Sequence, residues 1–257
     1  MALRYKSRML RYALLTLLLL TATAEAREPP RSLVLALSWQ SGFCETENGR
    51  DAADCRLSNA GSFAADHLVL HGLWPQPRGL EYCDQPPSKR DQIKRTGHRF
   101  LPEPDLSPAT RERMKVFMPG YTANLHSHEW LKHGTCSSLS PDDYFRIAFD
   151  MVQAMADMAT GRLLRASIGQ DVRSAALCDA LIRDFGPTVM RSAEFDLASI
   201  RRTDGRRRLM LTGLRFYLKP DDRGALALSP RHMAGEGGRL ACDDRQIRID
   251  APGPEPK

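Results

Sequence analysis

His128-Glu129-Trp130-Leu131-Lys132-His133-Gly134-Thr135-Cys136 is the stretch from which the rest of this chain is read. Two imidazoles, a carboxylate and an ammonium fall within six residues. In a helix turning about 100° per residue, His128, Lys132, Glu129 and His133 sit at about 0°, 40°, 100° and 140°. Trp130 and Leu131, at about 200° and 300°, turn toward a core, and Gly134 is a natural stop. The stretch is therefore expected to present a titratable face on a rigid element. The plain alternative is a solvated helix face, but solubility requires neither the paired histidines nor the Trp behind them. A metal reading competes as well, because His-Glu-x-x-x-His approaches the zinc motif His-Glu-x-x-His. The zinc motif sets its histidines about 40° apart on one face, whereas these lie about 140° apart and share an ion poorly.

A second constellation lies upstream: Asp66-His67-Leu68-Val69-Leu70-His71-Gly72-Leu73-Trp74-Pro75-Gln76. Leu68 to Leu70 read as a short buried strand, which Gly72 and Pro75 are expected to break, leaving His71 at its end. Taken alone, His71 is as easily a core histidine as a catalytic one. Together the two segments resemble the ribonuclease T2 family, whose signatures are His-Gly-Leu-Trp-Pro on a strand and His-Glu-Trp-x-Lys-His-Gly-Thr-Cys on a helix.

The resemblance implies an endoribonuclease with an α+β fold, low base specificity and no metal or other cofactor. By that resemblance His133 is the general base, His71 the general acid and His128 the phosphate binder. Lys132 and Glu129 support the pentacovalent transition state. Trp74 and Tyr82 match positions that sandwich a base. Gln76 stands where some members carry an acidic base reader, and Leu125 and His126 replace an aromatic pair. The remaining histidines, His67, His98 and His232, match nothing and read as surface or structural.

The assignment agrees with the chemistry of RNA, which brings its own nucleophile, the 2′-OH. A catalyst needs a base for that proton, an acid for the leaving 5′-oxygen and positive donors for charge building on phosphorus. Imidazole suits both proton roles because its pKa of about 6.5 lies near working pH. The implied products are 2′,3′-cyclic phosphates and then 3′-phosphates, and DNA would not be cut. Two rivals of other classes remain: a secreted metal-dependent hydrolase, which chelator would reveal, and a T2-like protein that only binds.

The first 26 residues read as a signal peptide. Arg4, Lys6, Arg8 and Arg11 precede an apolar run from Tyr12 to Leu20, and Ala24-Glu25-Ala26 offers a cleavage site. An uncleaved anchor is the alternative. Removal would leave 33 basic and 30 acidic residues, a net +3 instead of +6, so charge alone is weak support for nucleic-acid binding. Residues 27–250 suit one domain, and residues 251–257 read as a disordered tail. Six cysteines, all after residue 26, suggest three disulfides and export to a periplasm or the outside. Six cysteines permit about fifteen pairings. Proximity favours Cys44 with Cys55, the resemblance implies Cys83 with Cys136, and Cys178 and Cys242 remain. A monomer acting on RNA, with no membrane insertion after cleavage, is the expectation.

Along the rest of the chain, Ser32–Trp39 reads as a central strand. Residues 84–105, with prolines at both ends, read as a long surface loop whose Lys89, Arg90, Lys94 and Arg95 trail a phosphate backbone or are simply solvated. Helices are expected from Ser107-Pro108 to Met118, from Ser140-Pro141 onward and over Ser174–Phe185. Leu211–Lys219 alternates as a strand and turns back at Asp221–Gly224. This order of elements suits helices packed on a mainly antiparallel sheet, an α+β domain.

Overall fold

A computed structural model describes residues 30–55, 61–96, 100–201 and 205–253. The expected signal peptide and the end of the expected tail lie outside these residues. The strands are β1 (Leu33–Trp39), β2 (Leu68–Pro75), β3 (Gln170–Arg173), β4 (Ala193–Arg201), β5 (Arg207–Leu218) and β6 (Gln246–Ile249). The α-helices are α1 (Gln40–Cys44), α2 (Pro87–Thr96), α3 (Pro108–Phe117), α4 (Leu125–Lys132), α5 (Pro141–Asp157), α6 (Ala159–Ala166) and α7 (Ser174–Phe185).

One sheet runs in the order β2-β1-β5-β6-β3, with β4 on the other edge of β5. Every pairing is antiparallel except a short parallel contact of β5 with β6 at Met210 and Arg248. The fold is thus α+β with a mainly antiparallel sheet. Strand periodicity sorts β1 cleanly. Leu33, Leu35, Leu37 and Trp39 join the main core with Tyr144, Phe145 and Phe149 of α5. The alternate residues Ala36 and Ser38 face the other way, and their small side chains leave open space on that side of the sheet.

The helices begin where their chemistry says they should. Ser107 Oγ accepts from the Thr110 N–H at 3.2 Å, and Ser140 Oγ from the Asp143 N–H at 3.1 Å, each followed by Pro in the first turn. One side of α5 is buried through Tyr144, Phe145, Ala148, Phe149, Met151, Val152 and Met155. Tyr144 goes further: its hydroxyl donates to the Leu73 carbonyl at 2.6 Å and accepts from the Leu73 N–H at 3.1 Å. That pair of bonds clamps β2 one residue from Trp74.

Three local expectations are corrected. Gly72 and Pro75 do not break β2, which continues to Pro75 because β1 pairs with it along its whole length. Residues 84–105 are not all loop, since α2 occupies Pro87–Thr96. A single apolar residue, Ile93, anchors α2 to Tyr82, Leu101 and Leu131. Lys94 and Arg95 fall in its last turn, where the helix dipole favours cations. Strands β3, β4 and β6 had no sequence signal that stood out. Disulfides join Cys44 to Cys55, Cys83 to Cys136 and Cys178 to Cys242. Among the described residues no helix is long and apolar enough to cross a membrane.

Candidate active site

The site forms where α4 lies against the strand β2. Along β2, Gly72 pairs with Ala36 and Leu70 with Leu37, so His71 is the extra residue of a β-bulge. A bulge re-aims the side chain it carries. His71 is thereby turned out of the pleat into a cleft while Leu70 and Leu73 stay in the core. Gly72 is required beside it: a Cβ there would overlap the carboxylate of Glu129 and the indole nitrogen of Trp74.

Helix α4 starts after Asn124, whose left-handed backbone (φ 62°) reverses the chain. Its side chain donates to the Leu101 carbonyl at 3.0 Å and accepts from Ser127 Oγ at 2.7 Å. The helix ends at Lys132, and His133 is its cap with φ −116° and ψ −48° rather than a sixth helical residue. Next comes Gly134, pressed so closely against the Trp130 ring that a Cβ has no room.

Glu129 lies on the titratable side of α4 that the helical projection gives, and that side is covered. It is 2% exposed, because the polar side of α4 looks at β2 and not at water. Trp74 Nε1 donates to Glu129 Oε2 at 2.7 Å, and His71 Nε2 is 3.7 Å from Glu129 Oε1. The Trp74 ring stands between the two histidines, with centroids 5.5 Å from His71 (edge-on) and 5.5 Å from His133 (tilted). Lys132 Nζ is 3.5 Å from Glu81 Oε1, and the Lys132 carbonyl accepts from the Tyr82 N–H at 2.8 Å. His71, Trp74, Glu129, Lys132 and His133 are thus brought together, with His128 half-buried one helical turn before Lys132.

Burial and charge push the titrating groups apart. Burial foremost, then the positive Lys132, His128 and His71, hold His133 down to about 3. Burial raises Glu129 to about 8, against the opposing pull of the Trp74 hydrogen bond and of Lys132. His71 is also lowered, by its surroundings and by Lys132, with Asp54 working the other way. Yet 42% of its side chain still meets solvent, so its desolvation is far from complete. His71 and Glu129 are close enough to titrate as a pair.

Cavities lie on both flanks of His71. One, of about 500 Å³, is lined by Ser38, Gln40, Phe43, Asp54 and Leu125. The other, of about 370 Å³, is lined by Trp74, Thr212, Arg215 and Asp196. Gln40 Nε2 donates to Asp54 Oδ2 at 2.9 Å, fixing a carboxylate on the first wall. Sequence reasoning missed Gln40, Asp54, Arg215 and the Tyr144 clamp, since none belongs to a local motif.

The expected base platform is only partly present. Trp74 is half-buried at the cleft, and Gln76 is half-buried with its amide donating to the Trp74 and Pro75 carbonyls at 3.4 Å, lining neither cavity. Tyr82 is not brought there: its ring is 6% exposed and packs with Ile93, Leu101 and Leu131, leaving no free face for stacking. Leu125 joins the first cavity, whereas His126 is buried against Tyr121, with ring centroids 4.6 Å apart. Of the other histidines, His67 stacks on Phe63, His232 is buried beside Ser229, and His98 lies outside the described residues. Among the described residues no three His, Cys, Asp or Glu side chains converge as metal ligands.

Comparison with known proteins bears on the family and the fold. The model of the Ribonuclease T2 family matches residues 31–186. Ribonuclease I of Escherichia coli (strain K12) is 29% identical over 172 residues, covering 60% of this chain and 64% of that protein. A ribonuclease of Aeromonas hydrophila is 34% identical over 131 residues, covering 50% of this chain and 47% of its own. The chain therefore spans 47–64% of the length of these two relatives. The self-incompatibility-associated SF11-RNase of Nicotiana alata shares the fold, with a TM-score of 0.54 at 16% identity over 86% of this chain and 99% of that one. With a family model matching more than half of its residues, this chain belongs to the ribonuclease T2 family.

Proposed function

We propose that the protein is an endoribonuclease that cleaves single-stranded RNA, with low base specificity, through the substrate's own 2′-OH. The observation that carries the proposal is the asymmetry of the two histidines flanking Trp74. His133 is held neutral above about pH 3 by burial and three positive neighbours, the state a general base needs. His71 has a carboxyl group 3.7 Å away with which to share a proton, the partner a general acid needs.

In the first step His133 takes the proton of the 2′-OH and O2′ bonds to phosphorus. The P–O5′ bond breaks as His71 delivers its proton to the leaving oxygen, which gives a 2′,3′-cyclic phosphate and a free 5′-OH. In the second step the roles reverse: water attacks phosphorus, His71 accepts its proton and His133 protonates O2′, leaving a 3′-phosphate. Lys132 acts as a fixed charge for the phosphorane, and His128 binds the phosphate. Glu129 tethers Trp74 and keeps a proton available to His71. Trp74 offers a stacking surface, which tolerates any base, and Gln76 follows it as the base-edge contact of this reading. No metal or other cofactor enters these steps. Three disulfides support an oxidising compartment, periplasmic or extracellular, for a mature monomer that begins after residue 26.

The test is turnover of matched RNA and DNA oligonucleotides with excess chelator. RNA should be cut to 2′,3′-cyclic ends with chelator present, DNA should bind and survive, and a single 2′-deoxy nucleotide should protect only the bond after it. His133→Ala should abolish turnover and leave binding largely intact. Chelator-sensitive cleavage of RNA and DNA alike would refute the proposal.

A further inference from the structure

Across the cleft from Trp74 stands a charged wall that the proton transfers of cleavage do not use. Arg215 of β5 lies opposite Glu194 of β4 on one side and Ala36 of β1 on the other. Its Nε donates to both oxygens of Asp196, at 2.8 and 3.1 Å, and its Nη2 donates to Asp196 as well. The same Nη2 is 3.5 Å from Glu194 Oε2, which also accepts from the Tyr217 hydroxyl at 3.3 Å. Both strands follow the residues 31–186 that the family model matches.

The register of the sheet faces this wall toward the catalytic side. One row across the strands runs Glu194, Arg215, Ala36, Gly72, and the next runs Asp196, Gly213, Ser38. Asp196 leans over Gly213, where a Cβ would come 3.4 Å from its Oδ2. Trp74 leans over Gly72 from the other side, its Nε1 2.5 Å from where a Cβ would stand. Between them lies the cavity of about 370 Å³ that Asp196, Arg215, Thr212, Trp74 and His71 share. From β5 to β2 is two strand spacings, about 10 Å, room for one flat ring system beside the indole.

One guanidinium against two carboxylates leaves the wall net negative, so it repels an RNA phosphate. A cross-strand ion pair needs one carboxylate, and Glu194, directly opposite Arg215, supplies it. Asp196 sits on the diagonal, gripped by the planar fork of Arg215, which fixes its direction. Its oxygens have lone pairs beyond those that Arg215 uses, and an acceptor fixed in a cleft meets N–H donors. Adenine and cytosine carry an exocyclic amino group where guanine and uracil carry a carbonyl oxygen. We infer that Asp196, aimed by Arg215, is a specificity-determining acceptor for the amino group of the base stacked on Trp74, favouring adenine and cytosine. Trp74 also touches His133, which takes the 2′-OH proton, so this base belongs to the nucleoside on the 5′ side of the broken bond. The inference rests on the ribonuclease reading above and adds to Gln76 a second contact at the base edge.

The test measures kcat/KM on dinucleotides that differ only in the base 5′ to the bond: adenine, cytosine, guanine, uracil and unsubstituted purine, which is adenine without its amino group. On the native chain adenine and cytosine should exceed guanine and uracil roughly tenfold, and purine should fall with the slower pair. In Asp196→Asn the adenine-to-uracil ratio should drop to about one, because an amide donates to a keto oxygen as readily as it accepts from an amine. Glu194→Gln also removes a carboxylate from Arg215, but one that is not in the cavity lining, and there the ratio should stay. Equal rates on all four bases, purine as fast as adenine, or a ratio unmoved in Asp196→Asn would overturn the inference. So would a preference that follows the base 3′ to the bond, or an equal fall of the ratio in Glu194→Gln, which would make it an effect of field and not of contact. The comparison of adenine with purine needs no variant and decides the matter where Asp196→Asn does not fold. Failure of the native chain to cut any dinucleotide would instead sink the ribonuclease reading, and Kd ratios of 2′-deoxy dinucleotides would still decide whether Asp196 selects amino bases.

Discussion

Replacing Glu129 with Gln tests the electrostatics of the site at a single atom. The amide is isosteric and its oxygen can still accept from Trp74 Nε1, so the fold and the indole position should survive. What disappears is the carboxyl oxygen 3.7 Å from His71 Nε2. A full ion pair at that distance is worth about 4 kcal/mol at an effective dielectric of ~20. His71 is 42% exposed, so solvent screening cuts this to about 1–2 kcal/mol, or roughly one pKa unit.

The direction follows from which proton is lost. In the native site one proton is shared between Glu129, raised to about 8, and His71, and the form with that proton on His71 is the active one. With Gln in place only the lowered pKa of His71 itself remains. The limb on which activity falls with rising pH should therefore move down by about one unit, costing up to roughly tenfold in kcat/KM at pH well above the native limb. At the acid end, the limb set by His133 near 3 should stay where it is. The assay is a pH–rate profile on a dinucleotide, for the native chain and the variant. An alkaline limb that does not move, or moves up, would refute the idea that Glu129 supplies His71 with its proton.

Gly72→Ala should cost kcat/KM roughly a hundredfold, because the new Cβ displaces Glu129 or Trp74; kinetics and a melting curve on one sample check it, with only a modest loss of Tm expected. His126→Phe should stabilise the acid side. Burial lowers His126 to about 4, and it is 3% exposed with neither ring nitrogen hydrogen-bonded among the described residues. A His held neutral in the fold destabilises it as pH falls from about 6.5 through about 4. Phe keeps the packing on Tyr121 and should return about 1–3 kcal/mol at about pH 4, read by denaturant unfolding at acid and neutral pH. An equal gain at both would show that packing, and not protonation, is responsible.

The residues of the site were legible because each sits in a contiguous motif, and a motif needs no knowledge of its partners. What they touch was not. His71 was expected at a strand end, yet it is a bulge, and a bulge exists only as a register against Ala36 and Leu37 on another strand. Glu129 was expected on a titratable helix face, and no count of residues along α4 can reveal that β2 covers that face. Tyr82 was placed by resemblance at a base, whereas Ile93 and Leu101, in a segment read as loop, bury it. The α+β class and helices α3, α5 and α7 followed from caps and periodicity, which act locally. Strand β4 did not, because only its first residue, Ala193, is fully buried and the rest is held by pairing with β5 along an edge. The divide is thus one of range. Local chemistry names the groups that can move a proton, and long-range register sets which of them holds it: Glu129 can serve His71 only because Gly72, at the bulge, has no side chain to keep them apart.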